Sequence, residues 1–117
     1  MPTFNRYSPP EHVIENPSEG IESDVWSIGC LFVEIFSAKH VWEEYNETDI
    51  LNDLKKFYVP KIHRDIPKNA WSIICECLNP FKETRIESKE LLEKYVLICK
   101  RIKLFEIVKD LGKIKMI

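Results

Sequence analysis

Apolar residues recur at spacings of three and four along most of the chain, and this pattern predicts a mainly α-helical protein. The segment 23–37 is the most apolar and leaves almost no polar face, so we expect a central helix that is covered on most sides. A second stripe predicts a helix between Pro67 and Pro80; it consists of Ala70, Ile73, Ile74, Cys77 and Leu78. A third predicts a long helix from about Ser88 to Gly112; it consists of Leu91, Tyr95, Ile98, Ile102 and Phe105.

Proline and glycine interrupt the first twenty residues, which we predict to be a loop with a short helical turn after Pro10. Asn46 suits the N-cap of a further short helix, because acidic side chains follow it in the first turn. Residues 61–67 are predicted to form a loop. No run of alternating polar and apolar residues predicts a strand.

The chain of 117 residues is long enough for one compact domain, and its net charge of −2 does not favour binding to nucleic acid or to an anionic membrane. The first residues lack the apolar stretch of a signal peptide, and no apolar run approaches the ~18 residues of a membrane span. We therefore expect a cytoplasmic protein. The four cysteines lie in helix-patterned segments without histidine at zinc spacing, so we expect buried, reduced thiols and no metal site; they are Cys30, Cys75, Cys77 and Cys99.

Three motifs, in this order, resemble the protein kinase family. The stretch "RYSPPEHV" is similar to the A-P-E segment that closes the activation region, and "SDVWSIGCLFVEIFS" to the start of the large central helix of the C-lobe. The stretch "ECLNPFKETRIESKELL" is similar to the segment that carries an arginine before the last helix. The resemblance covers roughly residues 4 to 95. It implies the helical C-lobe portion of a protein-kinase-like fold, without the β-rich N-lobe, over residues 1–99, and a helical extension over residues 100–117.

The resemblance also implies roles for polar residues. Glu11 and Arg85 match the pair that ties the P-P-E segment to the last helices, and we expect a mostly buried ion pair in which Arg85 donates two hydrogen bonds. Tyr7 matches the aromatic residue that contacts the substrate next to the phosphoacceptor. Asp24 matches the acid that accepts hydrogen bonds from backbone amides of the catalytic loop. A carboxylate at this position would also cap the start of the central helix.

Three apolar residues of the central helix match family positions as well. Trp26 matches a packing residue beneath the activation segment. Leu31 and Ile35 match positions that support the hydrophobic stack on the adenine side. From the residues alone, all three are expected to pack in the core.

The motifs that bind and transfer phosphate in protein kinases do not occur in these 117 residues: there is no G-x-G-x-x-G, no V-A-I-K and no D-F-G. The stretch "HRDIPKN", residues 63–69, imitates the catalytic loop. It follows the P-P-E segment instead of preceding it, no D-F-G comes after it, and Asn69 follows Asp65 by four positions where the motif needs five. We therefore expect no catalytic residue and no cofactor in this chain, with Mg-ATP bound only by a full-length parent.

Departures from the family pattern leave the substrate hydroxyl open. Phe4 stands where Ser/Thr kinases usually have threonine, and Phe81 and Lys82 stand where D-P is usual. Two main hypotheses remain. The chain is the C-terminal part of a kinase that phosphorylates proteins on Ser/Thr or Tyr, or it is a non-catalytic, pseudokinase-like helical interaction module. A decaying gene fragment is a third, weaker alternative. Its expected partner is a protein substrate, another protein or the missing kinase lobe.

Overall fold

The computed structural model describes residues 5–14, 20–97 and 100. Helices joined by loops make up this part of the chain: α1 is Pro10–Ile14, α2 is Ile21–Ser37, α3 is Glu47–Lys55 and α4 is Lys68–Cys77. Residues 88–97 form a further helix, α5. The described residues contain no strand, which confirms the prediction of a mainly α fold. None of the described helices is both long and apolar enough to cross a bilayer.

The core forms where α2 packs against α4. The apolar stripe predicted for α4 is buried along its whole length; it consists of Ala70, Ile73, Ile74, Cys77 and Leu78. From α2, the side chains of Trp26, Cys30 and Val33 fill the other side. The two helices are in close contact at Gly29, where an added Cβ would lie 2.7 Å from the Cβ of Cys77. Glycine is therefore required at this position for the close approach.

The helix α2 begins at Ile21, two residues before the predicted start, and it is covered on most sides, as expected, but one narrow stripe is exposed. Leu31 and Ile35 are 46% and 70% exposed, so the expectation that both pack in the core is wrong. The physical reason is their spacing: residues four apart share a helix face, and this face points away from the side of α2 that packs on α4. Trp26, on the packed side, is fully buried as expected.

The shorter elements follow the sequence pattern closely. Asn46 caps α3 by accepting a hydrogen bond from the backbone N–H of Asp49, at 2.8 Å, and the short turn after Pro10 is α1. The α5 helix buries Leu91 and stacks Tyr95 on Phe32 of α2, with 5.4 Å between the ring centroids.

Some sequence predictions are corrected or fall outside the described residues. Cys75 is exposed, because it lies on the outer face of α4, whereas Cys30 and Cys77 are buried. Burial raises the pKa of Cys77 to about 12, so its thiol stays protonated. Three residues of the third predicted stripe, together with Cys99, lie outside the described residues; these three are Ile98, Ile102 and Phe105. The proposed division into residues 1–99 and 100–117 stays a prediction.

Candidate functional site

A stripe of polar residues runs along α2 and holds residues 5–11, which we call the platform segment. Ser23, Ser27 and Glu34 share one face of the helix, because their spacings of four and seven correspond to whole turns. The hydroxyl of Ser27 donates to the carbonyl oxygen of Tyr7 at 2.9 Å, and the hydroxyl of Ser23 donates to Glu11 at 3.0 Å. The platform segment therefore lies along α2 and is attached to it at several points.

Tyr7, the predicted substrate-platform residue, is fixed by a hydrogen bond to α2. Its hydroxyl donates to Oε1 of Glu34 at 2.8 Å. This hydrogen bond, together with partial burial and the negative charge of Glu34, raises the pKa of Tyr7. Within the platform segment, the Tyr7 N–H donates to the side-chain oxygen of Asn5 at 2.8 Å. The ring is thus held in one orientation by its hydroxyl and by its backbone.

Glu34 also binds the loop that follows α2. Its Oε2 accepts a hydrogen bond from the backbone N–H of Val41 at 3.1 Å and lies 3.3 Å from Nδ1 of His40. Burial alone would raise the pKa of Glu34, but the hydrogen bonds from Tyr7, Val41 and His40 outweigh it and hold the pKa below its ordinary value. Arg6 reaches the same loop from the platform segment, because its Nη1 donates to the carbonyl oxygen of Trp42 at 2.8 Å.

The other end of the platform segment is held by Arg85. Its Nη1 donates to Oε2 of Glu11 at 2.7 Å and its Nη2 to Oε1 at 3.0 Å, across 74 positions of sequence. The side chains of Arg85 and Glu11 are 0% and 6% exposed. Burial alone would raise the pKa of Glu11, but the hydrogen bonds and charge of Arg85 outweigh it and hold the pKa below its ordinary value.

Arg85 makes further contacts that use the rest of its guanidinium group. Nε donates to the carbonyl oxygen of Asn79 at 2.8 Å, and Nη1 donates to that of Glu22 at 2.7 Å. The group also lies over the ring of Trp26, with 5.2 Å between its central carbon and the ring centroid, a cation–π geometry. One side chain therefore joins α1, the N-terminal end of α2 and the loop that follows α4.

Asp24 occupies a different face of α2 from the polar stripe. It is exposed, and its carboxylate makes no hydrogen bond to any described residue. The expected capping role is wrong, because α2 begins at Ile21 after Gly20 and has no side-chain cap. Asp24 instead belongs to a stripe at spacings of three and four that we call the open face; its exposed members are Ile21, Asp24, Leu31 and Ile35, and Ile28 between them is half-buried against the core.

The polar residues of α2 were missed by the sequence analysis. Ser23, Ser27 and Glu34 lie at positions 3, 7 and 14 of the helix Ile21–Ser37, a whole-turn spacing that the sequence itself displays. Apolar residues flank Ser27 and Glu34 on both sides, so the average hydrophobicity of the segment hides the stripe. Nothing in the sequence indicates the contacts of Arg6, because its two acceptors are backbone carbonyl oxygens 35 and 36 positions away.

His63, the first residue of the stretch that imitates a catalytic loop, lines a cavity together with His40 and Trp42. A turn follows His63, in which the N–H of Ile66 donates to the carbonyl oxygen of His63 at 3.1 Å. Asp65 is exposed in this turn, and Asn69 lies exposed near the start of α4. Within the part of the chain that the structure describes, no three His, Cys, Asp or Glu side chains converge to form a metal site.

Comparison with known proteins identifies relatives. The chain is similar to serine/threonine-protein kinase ppk23 of Schizosaccharomyces pombe. The two are 32% identical over an alignment 117 residues long, which covers 74% of this chain and 29% of that protein. It is similar to mitogen-activated protein kinase kinase kinase 15 of Mus musculus, with 28% identity over 94 residues, 76% of this chain and 7% of that protein. It is also similar to the NT-3 growth factor receptor of Gallus gallus, with 30% identity over 87 residues, 74% of this chain and 10% of that protein.

The chain thus spans less than a third of the length of each of these relatives. The family model for the protein kinase domain matches residues 3–97, which include the platform segment and α1 to α5. The helical architecture of the described residues agrees with the predicted kinase-like fold without a β-rich N-lobe. Since the match extends over most of the sequence, the chain belongs to the protein kinase domain family.

Proposed function

We propose that this chain is the C-terminal, helical part of a protein kinase domain, and that it supports the segment carrying the catalytic residues. The whole protein would transfer phosphate from Mg-ATP to Ser/Thr or Tyr residues of proteins. The 117 residues by themselves contain none of the phosphate-binding motifs and are expected neither to bind Mg-ATP nor to transfer phosphate. In this proposal the platform segment, with Tyr7, contributes to the surface that receives the protein substrate.

The open face of α2 is the observation that carries the proposal. It extends over fifteen residues of helix, a rise of about 21 Å, and its apolar side chains include Ile21, Leu31 and Ile35 at 64%, 46% and 70% exposure. Covering a large aliphatic side chain contributes about 1.5–3 kcal/mol, so an uncovered stripe of this length favours binding of another segment. Asp24 lies in the same stripe and offers a carboxylate to backbone N–H groups of that segment.

A fusion experiment tests this role. The part of the ppk23 kinase domain that precedes its aligned stretch is joined to this chain, and phosphate incorporation from radiolabelled ATP is measured. We expect activity from the fusion, none from the 117-residue chain, and loss of activity on Leu31→Glu with Ile35→Glu. The matched control is Leu92→Glu, because Leu92 is 62% exposed on α5, outside the open face. Activity of the isolated chain, or full activity of the doubly substituted fusion, would contradict the proposal.

The second candidate is a non-catalytic helical interaction module. Two features favour this module: the buried core between α2 and α4, and the ion pair of Glu11 and Arg85. Both are formed entirely by residues that the structure describes. In that case the open face binds a separate protein. A monodisperse chain that unfolds cooperatively, encoded by a transcript without an in-frame D-F-G upstream, would favour the module over the kinase part.

A further inference from the structure

Two exposed aromatic rings form a patch near the Glu11 end of the platform segment. Phe57 and Phe81 stack with 4.9 Å between ring centroids, and they are 42% and 52% exposed. Phe57 adopts a backbone φ of 61°, in the left-handed region that side chains other than glycine rarely occupy. Phe57 lies in the turn that ends α3: its N–H donates to the carbonyl oxygen of Leu54 at 3.0 Å, and the N–H of Tyr58 donates to that of Asp53 at 2.9 Å. These are the hydrogen bonds of a helix C-terminal cap, in which a left-handed residue is usual.

A cavity lies beside the two rings. It has a volume of about 130 Å³ and is lined by Ile14, Pro80 and both phenylalanines, together with Lys82 and Glu83, whose charges are opposite. Glu11 also lines it, but its charge is already compensated by Arg85. The cavity is therefore suited to a single apolar side chain.

The backbone next to Phe57 is basic. The sequence from residue 55 to residue 61 is "KKFYVPK", with three lysines and no acid, and every residue of it except Pro60 is exposed. Lys56 lies over the ring of Tyr58, with its Nζ 5.9 Å from the centroid. A ligand seated on the rings would meet positive charge along one side.

We propose that Phe57, Phe81, Lys55 and Lys56, which we call the aromatic patch, form a docking site for an acidic protein segment that carries one large apolar side chain. The apolar side chain fills the cavity, and the acidic residues pair with the lysines. This proposal does not depend on whether the chain is part of an active kinase.

An acidic peptide fits the aromatic patch better than single-stranded nucleic acid does. Base stacking needs an open ring face, and Phe57 and Phe81 each present one face to the other.

Peptide arrays provide the test. The full chain is labelled and applied to peptides of about a dozen residues in acidic, neutral and basic sets, each with one Leu, Ile, Phe or Trp. We expect binding concentrated in the acidic set, dependent on the apolar residue and weakened by salt. A 12-nucleotide oligouridylate is measured in parallel by fluorescence anisotropy.

Matched variants assign the binding to the aromatic patch. Phe57→Gly removes the ring, and glycine suits the positive φ, so the variant should remain folded by circular dichroism and lose about tenfold in affinity. Lys55→Gln with Lys56→Gln should lose about fivefold and should reduce the salt dependence. The controls are Leu92→Ser and the pair Lys68→Gln with Lys89→Gln, which are exposed elsewhere and should change the affinity less than twofold.

Three results would overturn the proposal. The first is an array without preference for acidic peptides. The second is a folded Phe57→Gly variant that binds as tightly as the unaltered chain. The third is oligouridylate binding that is tighter than that of the best peptide and is lost in Phe57→Gly, which would make the aromatic patch a nucleic-acid site.

Discussion

Removing either partner of the pair Glu11 and Arg85 should destabilise the chain severely. The pair is almost completely excluded from water, with side chains 6% and 0% exposed. A buried charge that loses its partner typically costs ~3–5 kcal/mol. Since a domain of this size has a total stability of about 5–15 kcal/mol, Glu11→Gln or Arg85→Met alone should unfold a large part of the population.

The two substitutions should not be equally severe. Glu11→Gln leaves Arg85 with its bonds to the carbonyl oxygens of Asn79 and Glu22 and with its contact to Trp26. Arg85→Met removes all of these, so it should cost more. The double variant should be milder than the sum of the single variants by about 2 kcal/mol or more, because neither charge is then left alone.

Urea unfolding followed by far-ultraviolet circular dichroism measures these free energies. Lys94→Met is the control: Lys94 pairs with Glu76 at 2.8 Å, but both side chains are substantially exposed, so little change is expected. Additivity of the two single substitutions within about 0.5 kcal/mol would refute the reasoning, because it would mean that the two charges do not interact in the folded state.

The same pair makes stability depend on pH in a defined direction. The folded-state pKa of Glu11 lies below the ordinary value of 4.5. Its contribution is therefore present above that value and is lost as the pH falls through the lower folded-state pKa. The urea midpoint should fall with pH in this acidic range, and less so in Glu11→Gln. An identical pH profile in the variant would contradict this assignment.

Two further predictions concern α2. Gly29→Ala places a methyl group 2.7 Å from the Cβ of Cys77, a rigid neighbour. Although alanine has the better helix propensity, this substitution should destabilise the chain by about 1–3 kcal/mol, as measured by urea unfolding. An unchanged or higher urea midpoint would contradict the packing argument. Glu34→Gln should lower the pH at which Tyr7 ionises, because the Glu34 carboxylate raises the pKa of Tyr7. Ultraviolet titration measures this, with the Tyr7→Phe variant identifying the signal of Tyr7. An unchanged Tyr7 titration in Glu34→Gln would contradict this prediction.

The sequence predicted the helices well because their apolar spacing is local. The α4 stripe and the Asn46 cap depend only on residues within a few turns, and both are found where expected. The exposure of Leu31 and Ile35 could not be predicted this way, since it depends on which neighbours cover each face of α2. Hydrophobicity indicates that a helix face can be buried, and only the three-dimensional arrangement decides whether it is.

The contacts of Arg85 explain why the position of the platform segment depends on the packing of α2 against α4. The guanidinium group binds Glu11 of α1, the carbonyl oxygen of Glu22 in α2 and that of Asn79 just after α4. A planar group with several fixed donors can satisfy these acceptors together, whereas a lysine ammonium, a single point charge, cannot span them. Any shift of α4 along α2 would break one of these bonds and leave a buried polar group unpaired. The end of the platform segment at Glu11 is thus held in place by the same contact that fixes the register of the two core helices.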